Sequence, residues 1–78
     1  MIMVDQLRGA RAMLRWSARE LAERSGVSLP TIQRMEAATG IPPGLTKNIV
    51  AIKTTLEAAG IEFIDANGGG VGVRFKEP

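Results

Sequence analysis

A chain of 78 residues that contains neither cysteine nor histidine has no disulfide staple, no thiolate or imidazole ligand and no imidazole base, which favours a binding module over an enzyme. At this size only about 60% of the unfolded surface is buried on folding, so the core is thin and a catalytic cleft has little room. The net charge of +2 and a pI near 9.7 permit a nucleic acid as partner without demanding one.

With Tyr absent and only one Trp and two Phe, the core has to be built from Leu, Ile, Val, Met and Ala, a composition that suits packed helices. Val4, Leu7, Ala10 and Leu14 recur at spacings of three and four, which predicts a first helix over residues 4 to 14 with Arg8 and Arg15 away from its apolar stripe. The second helix has a complete start. Ser17 and Glu20 have the spacing of a capping box, and Trp16 and Leu21 that of a hydrophobic staple. Leu21, Ala22 and Ser25 face inward, and Gly26 supplies the left-handed residue that ends the helix.

Only Gly26 and Val27 separate that end from Ser28, a second N-cap candidate, followed by Leu29 and by Pro30 in the first turn, where proline is tolerated. Val27 and Ile32 repeat the staple, so the third helix starts almost at once and must cross the second steeply. At about 100 degrees per residue, Ile32 and Met35 define its buried side. The opposite side presents Pro30, Gln33, Arg34 and Ala37, without the several Lys and Glu of a merely solvated helix. Glu36 points nearer the core and needs a cationic partner, for which Arg11 is the candidate.

Residues 39 to 46 hold two glycines and two prolines, which makes a loop. Ile49, Ile52, Leu56 and Ala59 then give a fourth helix, with Thr46 as its expected cap and Gly60 as its stop. From Ile61 the period changes to two. Ile61 and Phe63 alternate with Glu62, and Val71, Val73 and Phe75 alternate with Gly72, Arg74 and Lys76. Two short strands joined by residues 66 to 70 fit a hairpin, which is marginal alone and so must pack on the helices or pair with another chain. Asn67 to Gly70 lacks the spacing and the following helix of a phosphate loop.

The stretch SARELAERSGVSLPTIQRMEA, residues 17 to 37, resembles the lambda-repressor and Cro-like helix-turn-helix family, also called the Xre family. The likeness rests on Leu21 and Ala22 in the second helix, Gly26 and Val27 in the turn, Thr31 and Ile32 in the third helix, and Glu36 near its end. It extends over about residues 4 to 59 and implies a mainly α fold: a four-helix DNA-binding domain over residues 1–60, followed by a short C-terminal β-hairpin over residues 61–78 as a candidate dimerisation element. It also implies that the third helix lies in the major groove. Leu29, Pro30, Gln33 and Arg34 are then the base-facing residues. Periodicity alone reaches three of these; Leu29 comes from the family.

Arg34 suits guanine O6 and N7, Gln33 an adenine edge and Leu29 a thymine methyl. Ser17, Arg19, Ser28, Thr31 and Lys47 are the phosphate-facing candidates, at helix starts where free amides and the dipole favour an anion. The family commonly carries glutamine where this chain has Ala18, so one side-chain contact to DNA is missing. An ion pair between the first helix and the end of the third is also a family feature, matched by Arg11 and Glu36.

The serines and threonines have no histidine to activate them, and no catalytic constellation, metal or cofactor is expected. No apolar run approaches the roughly 18 residues of a membrane span, and Met1 to Val4 lacks a signal-peptide pattern, so the expected location is the cytoplasm. The expected function is a sequence-specific regulator that binds double-stranded operator DNA as a homodimer, acting as a repressor. The alternatives are the antitoxin of a toxin-antitoxin pair, with a toxin protein as partner, and a protein-interaction adaptor that has lost DNA binding.

Overall fold

A computed structural model describes residues 2–77. Four helices run in sequence as α1 (Val4–Leu14), α2 (Ala18–Ser25), α3 (Leu29–Glu36) and α4 (Thr46–Ala58), and an antiparallel hairpin follows as β1 (Ile61–Ile64) and β2 (Gly72–Phe75). The mainly α architecture and the hairpin are those the periodicities predict.

Each boundary has a local cause. Ser17 accepts a hydrogen bond from the Glu20 amide at 3.0 Å, which starts α2. The reciprocal half of the expected capping box is absent, because the Glu20 carboxylate turns along the helix to accept from Arg24 Nε at 2.7 Å. Gly26 ends α2 with φ 76, its amide donating to Ala22 O. Ser28 then caps α3, with Pro30 in the first turn. Thr46, expected as the cap of α4, is instead its first helical residue; Leu45 occupies the cap position and gives no side-chain hydrogen bond.

The end of α1 has no sequence signal. Arg15 adopts φ 59 and ψ 31, and its amide reaches back to carbonyls of the last turn. A non-glycine residue pays about 1–2 kcal/mol in this left-handed region. We expect Arg15→Gly to raise stability by roughly 0.5–1 kcal/mol, since glycine removes the Cβ clash while adding some unfolded-state entropy. A chemical denaturation midpoint that falls on substitution would count against a strained cap.

One hydrophobic cluster joins all the elements, with Leu7 of α1, Leu21 of α2, Ile32 and Met35 of α3, Ile52 and Leu56 of α4, and Ile61 of β1 at its centre. Burying each such side chain contributes about 1.5–3 kcal/mol before entropy is subtracted. The hairpin therefore takes the first of its two options and packs on its own helices. Gly9 makes the close approach: a Cβ there would lie 3.3 Å from Val73 Cγ2, so the bare helix surface lets the sheet settle onto α1.

Gln6 completes the docking. It is buried, accepts from the Met3 amide at 2.8 Å, and its Nε2 donates to Ile64 O at 3.1 Å and Gly72 O at 2.9 Å. One amide thus ties the start of α1 to the loop end of the hairpin. On the outer sheet face Arg74 and Glu62 pair at 2.7 Å across the register Glu62↔Arg74. The connection from Asp65 to Val71 is exposed.

Candidate nucleic-acid interface

Two caps and a glycine corner fix how α3 is presented. Because Val27 and Ile32 are both buried beside Leu21, the corner is anchored from inside and α3 cannot roll. Its outward side exposes Pro30, Gln33, Arg34 and Ala37, as the period predicts, while Leu29 is half-buried at the helix start. Among the described residues the Gln33 side chain has no hydrogen-bond partner, and its amide is exposed.

Arg34 is held only lightly, with one guanidinium nitrogen 3.4 Å from Thr31 Oγ1. Thr31 Oγ1 also accepts from the Ser28 hydroxyl at 2.8 Å, and the Ser28 oxygen accepts from the Thr31 amide at 3.4 Å. Ser28, Thr31 and Arg34 form one chain of hydrogen bonds.

The acidic residue of α3 is withdrawn from this surface. Arg11 Nε and one terminal nitrogen each reach a different Glu36 carboxylate oxygen at 2.8 Å, and the other terminal nitrogen donates to Trp16 O at 2.9 Å. The bidentate hydrogen bond to Glu36 raises the Arg11 pKa above its ordinary value, opposed by partial burial and helped by the opposite charge. The guanidinium therefore stays charged at any working pH. It clamps α1, the α1–α2 corner and the end of α3 together, and leaves Arg34 without an acidic neighbour on its own helix.

The remaining candidates stand apart from this chain. Ser17 and Arg19 lie exposed at the start of α2, and Lys47 is exposed in the first turn of α4. Among the described residues no hydrogen bond or ion pair joins them to Arg34, so they share a surface role only through a common ligand. The Ser17 oxygen is already an acceptor for the Glu20 amide, but its proton remains free to donate.

Arg24 is spoken for. It pairs with Glu20 and lies over the Trp16 ring, 4.4 Å from the centroid. Sequence reasoning took Trp16 only as a staple; the spacing of Trp16, Glu20 and Arg24 at four-residue steps is the signal that would have found the stack. Gln6 was also missed, although a glutamine three residues after the helix cap is the back half of a capping box.

Among the described residues there is no group of acidic side chains able to hold a metal ion, and no helix is long and apolar enough to cross a membrane. No curated protein matches the chain. A family model described as helix-turn-helix matches residues 7–46, just over half of the sequence, from within α1 to the first residue of α4. With the corner at Gly26, the exposed Gln33 and Arg34 and the Arg11–Glu36 clamp in place, the chain belongs to the Xre, or lambda-repressor-like, helix-turn-helix family of DNA-binding transcriptional regulators.

Proposed function

We infer that the protein is a repressor that occupies an operator as a homodimer, one α3 in the major groove of each half-site, with half-sites about 34 Å apart. The observation that carries this reading is the exposed pair Gln33 and Arg34 on a helix whose only carboxylate, Glu36, is bound elsewhere. Leu29, Pro30, Gln33 and Arg34 face the bases, and Ser17, Arg19, Ser28, Thr31 and Lys47 face phosphates. This reading puts the protein beside the chromosome, in the cytoplasm.

Selection from a random duplex pool followed by a salt titration tests it. Binding should weaken steeply as salt rises, because each phosphate contact releases counterions. Arg34→Ala should weaken the selected duplex by about 1–3 kcal/mol and relax preference at one base pair. Lys47→Ala should instead weaken all duplexes alike and lower the salt slope by about one. Equal losses on selected and random DNA for Arg34→Ala would remove it from the base-reading set.

A second reading has an observation of its own. Ile41 (58%), Leu45 (60%) and Val50 (53%) are exposed apolar side chains on the α3–α4 loop and α4, which suits a protein-binding antitoxin or adaptor. Such an interface predicts tight, salt-insensitive binding to a protein, and for the adaptor no duplex affinity beyond that of another protein of equal charge.

A further inference from the structure

We propose that Asn67 is a site of intramolecular deamidation: the Gly68 amide nitrogen attacks the Asn67 side-chain carbonyl, expels ammonia, and leaves aspartate or isoaspartate at the tip of the hairpin.

The reaction makes demands that most of a folded chain refuses, and the segment between β1 and β2 meets them. The attacking nitrogen must be free of hydrogen bonds, because an amide held in a helix or a ladder neither loses its proton readily nor turns toward its neighbour's side chain. β1 ends at Ile64 and β2 begins at Gly72, and among the described residues the Gly68 amide has no acceptor. The asparagine side chain must also be able to turn, and that of Asn67 is exposed and makes no hydrogen bond to the described residues. The following residue must not obstruct the closing ring. Gly68 adopts φ 81, and nothing lies within 4 Å of where its Cβ would stand.

The chain contains its own control. Its other asparagine, Asn48, lies in the first turn of α4 and is followed by Ile49. The Ile49 amide donates to Leu45 O at 3.3 Å, and its branched side chain is buried. There the nucleophile is engaged and crowded.

The chemistry needs only water. The Gly68 N–H proton passes to solvent, a new bond from the Gly68 nitrogen to Asn67 Cγ closes a succinimide ring, and the side-chain nitrogen takes up a proton and departs as ammonia. Water then opens the ring. Addition at Cγ gives aspartate on an unchanged backbone, whereas addition at the main-chain carbonyl gives isoaspartate, with an extra methylene in the backbone. Either product is ionised at neutral pH and lowers the net charge of +2 by one, in the same exposed segment as Asp65. The hairpin stays docked, because Gln6 holds Ile64 O and Gly72 O on either side of that segment.

Cleavage after lysine and arginine separates the two asparagines into residues 48–53 and 54–74, so mass spectrometry reads each alone. After the folded protein is kept in warm, mildly alkaline buffer, the 54–74 peptide should gain about 1 Da and become a methyl acceptor for an isoaspartyl methyltransferase, while the 48–53 peptide stays unchanged. Gly68→Ala should slow the gain about tenfold. Asn67→Gln, which keeps the amide on a longer side chain, should abolish it.

The folded chain and the urea-unfolded chain should convert at Asn67 within about threefold of one another, as expected of a segment outside every cooperative unit. An Asn67 that stays intact in the folded protein overturns the proposal, whether or not the unfolded chain converts. A mass gain in the 54–74 peptide that persists in Asn67→Gln overturns it as well.

Discussion

Replacing Arg11 with Ala should lower stability by about 2–3 kcal/mol and the melting temperature by on the order of 10 °C. Three hydrogen bonds disappear, two to Glu36 and one to Trp16 O. The larger penalty is what stays behind: the Glu36 side chain is only 12% exposed, and without its partner it is a carboxylate held away from water. The figure lies at the lower end for broken buried pairs, because Arg11 itself keeps 26% exposure and water can enter.

A double-mutant cycle separates the pair from the packing. Arg11→Met with Glu36→Gln removes both charges at similar volume, and should recover more than half of the single-mutant loss. Thermal unfolding of the four proteins reads it. An Arg11→Ala protein that melts with the wild type would mean that the clamp contributes no net stability, and that the orientation of α3 rests on apolar packing alone.

Gln6→Leu should cost roughly 2–3 kcal/mol, although leucine matches glutamine in volume and raises the hydrophobicity of a buried position. The reason is the pattern of donors and acceptors. Three hydrogen bonds to backbone are lost, each typically worth about 0.5–1.5 kcal/mol and more where a group is stranded; the Met3 amide loses its acceptor, and Ile64 O and Gly72 O lose a donor. Apolar gain offsets part of the deficit.

The loss should also be local. Amide exchange in β1 and β2 should speed up more than exchange in α2 and α3, because Gln6 bonds the hairpin to α1 and makes no hydrogen bond to either of those helices. Uniform acceleration throughout the chain would show that the hairpin and helices unfold as one unit. A neutral substitution would mean that Ile61, Phe63 and Val73 alone dock the hairpin.

The part of this protein legible in the sequence is the part governed by neighbours within one helical turn or one strand step. Ser17, Gly26, Ser28 and Pro30 each act on backbone groups at most four residues away, so the corner between α2 and α3 and the outward side of α3 follow from spacing. Even the Arg11–Glu36 pair could be anticipated, since a carboxylate near the buried side of a helix has to find a cation and family likeness supplied its position. Two local expectations failed: Glu20 bonds Arg24 and not its own cap, and α4 begins one residue early, with Leu45 and not Thr46 at the cap.

Contacts distant in sequence were decided only by the tertiary structure. That Gln6 would meet residues 64 and 72, that Gly9 would be the landing place of Val73, and that Val71 and Phe75 would remain in solvent depend on where the sheet comes to rest against α1 and α4. A period of two says which side chains share a face, but the rim of that face is exposed or covered according to how far the supporting helices reach. Spacing therefore determined the outward side of α3, whereas packing determined which side chains of the hairpin stay exposed.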